Sequence, residues 1–203
     1  SAVMTEIPEM FGAEQQLLDR CVSEEKFCSL AQVIQDFKQY FISHGESVGE
    51  NPSPGNKKGG ITTLEEKSLG CVLKGGHSAV SDVLRYGESL RAKGLTVVEA
   101  PGNDATAQTA LAAAGAQIVL FTTGRGTPLG GVVPTVKIAT NGALAAAKPR
   151  WIDFDASCAF GCGIVGAAEK LIDLLVRVAG GEPVAAERNR SREIAVWKRG
   201  VTL

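Results

Sequence analysis

The residues able to do chemistry in this sequence gather at a few turns. Thr122-Thr123-Gly124-Arg125-Gly126 places an arginine between two glycines. Glycine lets backbone N–H groups come close to a ligand, and the planar guanidinium fork matches a carboxylate. Arg125 is therefore the expected anchor for an acidic ligand. The competing reading is a salt bridge to a neighbouring loop. Pro101-Gly102-Asn103-Asp104, Thr140-Asn141, and Asp153 with Asp155 follow three other apolar runs. Together these turns offer acids, hydroxyls, a guanidinium and an amide, the equipment of a polar ligand site. Helix capping is the alternative use for the same residues.

Imidazole chemistry is nearly absent, since His44 and His77 are the only histidines. A metal would need oxygen ligands. Glu6, Glu9, Glu14 and Asp104, at loop or helix-start positions, suit a hard cation such as magnesium, manganese or iron(II). Glu9 and Glu14 would equally well favour the N-terminus of a helix. Gly55 to Gly60 has P-loop spacing, but Ile61 stands where the phosphate-binding lysine belongs, which argues against a nucleoside triphosphate. Gly124-Arg125-Gly126 leads into Pro128 and the extended Val132-Val133-Pro134-Thr135, not into a helix that could hold a pyrophosphate. No nucleotide is expected.

Lys and Arg total 21 against 22 for Asp and Glu, so no global field exists to hold nucleic acid or an anionic membrane. No apolar run approaches the roughly 20 residues that span a bilayer. The opening residues lack the basic flank and apolar stretch of a signal peptide, which makes the cytoplasm the expected location. The five cysteines are odd in number and scattered, so free thiols are expected. Cys158 and Cys162 have a Cys-x3-Cys spacing that matches no common zinc or iron–sulfur pattern, and they read as small packing residues. An iron–sulfur cluster on Cys71, Cys158 and Cys162 is the alternative.

The elements that must position these residues follow from periodicity. Ala2-Val3-Met4-Thr5 reads as the end of a strand, an abrupt start that suggests a fragment whose missing N-terminal part supplied earlier sheet strands. Residues 12–22 and 24–43 read as helices, the second capped by Ser23 and striped by Leu30, Val33, Ile34, Phe37 and Phe41. From His44 to Ile61 a Gly, Ser, Asn, Pro and Lys stretch reads as a long polar loop without regular structure. Thr63-Leu-Glu-Glu66 then spells a capping box. Residues 95–100, 117–122, 135–140 and 151–155 are short apolar runs of the kind buried on both faces, alternating with helical patterns at 105–114, 141–148 and 163–179. The alternation predicts an α/β fold: a mostly parallel sheet with covering helices, Rossmann-like in three layers, behind a helical N-terminal segment. The reading is of one α/β domain, with a helical and loop part at 1–94 and an α/β part at 95–203. In such sheets ligands bind beyond the carboxyl ends of the strands. The charged tail at 187–203 reads as a helix followed by an edge strand at Ile194-Ala-Val-Trp197.

Four segments carry a family resemblance: Glu6-Ile-Pro-Glu-Met-Phe-Gly-Ala-Glu14; Asn51-Pro-Ser-Pro-Gly-Asn-Lys-Lys-Gly-Gly60 with Thr62-Thr-Leu-Glu-Glu-Lys67; Phe121-Thr-Thr-Gly-Arg-Gly126; and Lys137-Ile-Ala-Thr-Asn141. In this order they resemble the altronate and galactarate dehydratases, over the C-terminal portion of a full-length member. The turn Ala156-Ser-Cys-Ala-Phe-Gly161 departs from the family pattern. The resemblance implies loss of water from a sugar acid, with D-altronate to 2-keto-3-deoxygluconate as the first expectation. Galactarate dehydration and sulfolactate sulfo-lysis belong to the same family. It further implies a divalent ion, iron(II) or manganese(II), on ligands such as Glu9, Glu14 and Asp104. Lys57 and Lys67 become acid or base candidates, on the expectation that desolvation brings a lysine toward neutrality. Either could instead be a solvated charge. Asn51, Asn56, Thr122, Thr123, Gly124, Arg125, Gly126, Lys137, Thr140 and Asn141 would form the substrate-binding set. The expected partners are the sugar acid, the N-terminal part of the same enzyme, without which the fragment should be inactive, and a second copy in a homodimer. A non-catalytic sugar-acid-binding domain is the competing class.

Overall fold

The computed structural model describes residues 1–48 and 54–199. In chain order the elements are β1 (Ala2–Met4), a 3-10 turn (Ile7–Met10), α1 (Gln15–Leu18), α2 (Glu24–Ser43), α3 (Pro54–Lys58), α4 (Leu64–Leu73), β2 (Val80–Leu84), β3 (Leu95–Val98) and α5 (Asp104–Ala113). They continue with β4 (Val119–Thr123), β5 (Thr135–Ala139), α6 (Gly142–Ala147), β6 (Phe154–Asp155), a second 3-10 turn (Ala156–Cys158), α7 (Ala159–Ala179) and α8 (Ala185–Arg188). The chain divides into two compact units, Ser1–Gly115 with Val196–Leu203, and Ala116–Ala195.

The α/β reading holds, with the strands shared between two small sheets. The first unit has the order β1-β3-β2 and the second β4-β5-β6, every pair parallel. Central β3 is buried at all four positions, which is why Leu95, Thr96, Val97 and Val98 read as a continuous apolar run broken only by a threonine. Against this sheet pack the predicted stripe residues of α2, Leu30, Val33, Ile34 and Phe37, together with Ile7, Met10 and Leu17. Central β5 is likewise buried throughout, and Val136 and Ile138 meet Leu174 and Val178 of α7.

Local capping signals did what their chemistry requires. Ser23 accepts from the Lys26 N–H, and Thr63 and Glu66 close a reciprocal capping box on α4. Asn103 and Asn141 cap α5 and α6 in the same way.

Four expectations change. Strand β2 escaped notice because Ser81 and Asp82 interrupt its apolar run; Asp82 is buried but sits 3.0 Å from Lys26 Nζ, which offsets its desolvation. The helix expected at 12–22 is reduced to α1, since Gly12 at φ 95° breaks the chain just before it. The polar loop contains α3, opened by Pro54, whose ring is preset for a first helical position. Residues 194–197 form no strand; Trp197 instead stacks on Phe37 at 5.1 Å, and its backbone N–H donates to Tyr86 Oη at 2.9 Å.

Leu30 is fully buried at the α2 face. Truncation to alanine should cost about 2–5 kcal/mol, measured as a lower urea midpoint at unchanged slope. Gly94 has φ 106°, and a Cβ there would lie 2.1 Å from Ser81 Oγ, so Gly94→Ala should also lower the midpoint.

Candidate functional site

In the first unit, charged side chains collect beyond the carboxyl ends of β1 and β3. Thr5 Oγ1 donates to the Val98 carbonyl at 2.8 Å, and the Ile7 N–H donates to the Ala100 carbonyl at 3.1 Å. Between these two ties Glu6 is held in the left-handed region, φ 68° and ψ 56°, a conformation uncommon outside glycine and asparagine. Three residues on, Glu9 forms an ion pair with Lys67 of α4 at 2.8 Å, both side chains mostly buried. A Cβ on Gly102 would stand 2.8 Å from Glu9 Oε1, so the glycine is what lets the β3–α5 turn approach this carboxylate. Lys67 Nζ also donates to Cys71 Sγ at 3.8 Å, one helical turn further along α4. Ser68 Oγ donates to the Phe11 carbonyl and fastens α4 to the turn that carries Glu9.

The electrostatics separate the two acids. Glu6 has no hydrogen-bond or ion-pair partner for its carboxylate among the described residues. Burial, only partly opposed by Lys74 and reinforced by Glu9 and Asp104, raises its pKa to about 7. Burial by itself would lower the Lys67 ammonium, but the hydrogen bond to Glu9 and the charges of Cys71, Glu9 and Glu6 outweigh it and push the pKa up. The expectation that desolvation brings a lysine toward neutrality is thus overturned at Lys67, which stays an ammonium. Lys57 is exposed on the last turn of α3. Asn56 lies on the same short helix, and Asn51 falls outside the described residues.

Glu14 does not join Glu9: it pairs with Lys38 of α2 and accepts from the Gly12 N–H. Asp104, the first residue of α5, contributes charge to the Glu6 environment. Among the described residues no three His, Cys, Asp or Glu side chains form a group that could hold a metal ion. The described residues alone do not supply a full ligand set for the divalent ion implied by the resemblance.

In the second unit the expected turn is built. The Gly126 N–H donates to Thr123 Oγ1 at 2.9 Å, Asn141 Nδ2 donates to the Gly124 carbonyl at 3.1 Å, and Thr140 Oγ1 donates to the Thr123 carbonyl at 3.3 Å. Gly126 has φ 80°, and a Cβ there would lie 2.9 Å from Leu144 Cδ1. Lys148 Nζ closes the turn onto the Arg125 carbonyl at 2.9 Å. Arg125 is exposed, and its guanidinium makes no ion pair or hydrogen bond among the described residues. Thr122 is exposed beside it.

Lys137, read as substrate-binding, is buried: its ammonium donates to the carbonyls of Thr127, at 3.1 Å, and Leu129, and lies 5.4 Å from the Phe121 ring. It holds the loop that follows Arg125. Asp153 is also structural, accepting from the Lys137 and Ala185 N–H groups, and Asp155 accepts from the Ser157 N–H.

The chain matches the profile of the D-galactarate/altronate dehydratase C-terminal family over residues 1–202. The chain belongs to this family. It is 58% identical over 204 residues to the altronate dehydratase of Escherichia coli (strain K12), and 57% identical over 211 residues to that of Bacillus subtilis (strain 168). Both alignments cover the whole of this chain but only 41% of the relative. The galactarate dehydratase (L-threo-forming) of E. coli is 37% identical over 154 residues, covering 75% of this chain and 29% of that protein. Sequence reasoning noticed Glu6 only as one acid among several, and missed Cys71 and Lys74 as its neighbours. The available signal was an acid two residues after a short apolar strand and two residues before Pro8.

A group whose pKa rises on folding stabilises the protein below its unfolded value and loses that contribution as pH rises through the folded one. The Glu6 contribution should therefore be lost progressively as pH rises from 4.5, the ordinary glutamate value, to about 7. Thermal midpoints of Glu6→Gln should fall less than those of the parent across that window; superimposable profiles would exclude the burial effect at Glu6.

Proposed function

We propose that this chain is the C-terminal catalytic part of a dehydratase acting on a sugar acid, with D-altronate as substrate and 2-keto-3-deoxygluconate and water as products. The observation that carries the reading is the identity of 57–58% to two altronate dehydratases along the entire chain. The match to galactarate dehydratase is weaker and shorter, so galactarate ranks second.

In this reading the difficult step is removal of the proton beside the carboxylate, which leaves charge on the carboxylate oxygens. Glu6, with a pKa of about 7, is poised to take that proton at neutral pH. Lys67, kept as an ammonium by Glu9, supplies a proton to the departing hydroxyl. The resulting enol becomes the keto acid by tautomerisation. Arg125, its fork exposed and unengaged among the described residues, has the chemistry to grip a carboxylate. Asn51, Asn56, Thr122, Thr140 and Asn141 remain proposed partners for substrate hydroxyls, with Lys57 as a further charge. The iron(II) or manganese(II) implied by the resemblance would draw some ligands from Glu9 and Asp104 and the others from outside this chain. The remaining portion of the enzyme and a second subunit are its proposed partners.

The test is keto-acid formation by the full-length enzyme. Lys67→Met should lower kcat by about 100-fold or more, in the range of a lost acid or base. Arg125→Ala should act mainly on KM. Normal turnover of altronate by Lys67→Met would end the acid assignment, and turnover of galactarate in preference to altronate would reassign the substrate.

A further inference from the structure

Independently of the dehydratase reading, we infer that Cys158 and Cys162 form a reversible dithiol–disulfide site that takes low-molecular-weight disulfides as its oxidant. The pair was expected to be packing residues. Instead Cys162 is exposed and Cys158 half-buried, both as free thiols. Cys158 ends the second 3-10 turn as the N-cap of α7 and Cys162 lies four residues on, in the first turn of that helix, with Cys162 Sγ donating to the Cys158 carbonyl at 3.2 Å. Lys170 Nζ donates to Cys162 Sγ at 3.7 Å, which gives a sulfur anion a counter-charge. Burial and the adjacent Cys162 push the Cys158 thiol up. Cys162 is accordingly the attacking sulfur and Cys158 the resolving one. Approach is open, since the neighbouring Phe160 is 94% exposed and Ile164 84%.

Closing the bond requires movement. Residues four apart on a helix hold their Cβ atoms about 5–6 Å apart, whereas a disulfide needs roughly 3.8 Å. The fold permits it because Gly163, at φ 74° and ψ 168°, already breaks α7 immediately after Cys162. Only the single turn at 159–162 must reshape, and the long continuation of α7 stays on its sheet. The strain that remains makes the bond easily reduced, the mark of a labile disulfide and not a structural one.

The chemistry balances as two exchanges. The Cys162 thiolate attacks one sulfur of the oxidant and expels a thiolate, leaving a mixed disulfide. Cys158 then loses its proton, attacks the Cys162 sulfur and expels the second thiolate. Two protein thiols are oxidised, one small disulfide is reduced to two thiols, and the cysteine protons end on those products.

The test uses oxidised glutathione, then iodoacetamide, then trypsin. Cleavage after Arg150 and Lys170 releases both cysteines on one peptide, Trp151–Lys170, with no other basic residue inside it. The expected product is this peptide lighter by two hydrogens, unalkylated, and restored to two alkylatable thiols by dithiothreitol. In Cys158→Ser a glutathione adduct should accumulate on Cys162. Exposed Cys28 is the internal control, because no second thiol contacts it among the described residues and it should keep its adduct. A parent peptide that carries two alkyl groups, or two glutathiones, would overturn the site. So would equal adduct lifetimes at Cys28 and Cys162.

Discussion

Parallel pairing around a wholly buried central strand is the constraint from which the rest follows. Because β1, β2 and β3 all run the same way, their carboxyl ends emerge on one edge, and the segments leaving them must begin there. Thr5 and Ile7 are tied to Val98 and Ala100 at that edge, and these ties hold Glu6 in its left-handed conformation. The second unit repeats the logic with β4, β5 and β6, whose ends deliver Arg125, Asn141 and Asp155.

Carboxylates of the first unit show how partners decide the fate of a buried charge. Burial would raise the Asp82 carboxyl, but hydrogen bonds from Lys26 and the Val83 N–H outweigh it and hold the pKa below the ordinary range. Glu99 is engaged by Arg85, Arg199 and the Tyr86 N–H. Glu6 receives neither kind of help and responds by taking up a proton near neutrality. Glu9 lies between these cases, its charge matched by Lys67. A carboxyl that exchanges its proton near neutrality, close to a cation that keeps its charge, is an arrangement suited to proton transfer, whereas the Asp82 and Glu99 networks are suited to holding elements together.

The second unit uses its polar side chains differently. Thr123, Asn141 and Lys148 bond to backbone atoms of the arginine turn, and Lys137 holds the loop that follows it from inside. Their combined effect is a shaped turn from which the exposed Arg125 guanidinium projects, unengaged among the described residues. The polar residues gathered at the strand ends therefore have two uses, capping and presentation, and capping occupies most of them.

What the sequence determined by itself was short in range. Helix caps at Ser23, Thr63, Asn103 and Asn141, the apolar stripe of α2, and the apolar strands β3, β4 and β5 depend on neighbours within a few residues, so their spacing reveals them. The family motifs were legible for the same reason. Tertiary structure alone decided that Asp82 could sit in a strand beside Lys26, that Glu9 meets Lys67 while Glu14 meets Lys38, that Lys137 turns inward, and that two cysteines share an exposed turn. Each of these outcomes is set by desolvation and by charges brought together from distant parts of the chain, and neither quantity exists until the chain has folded.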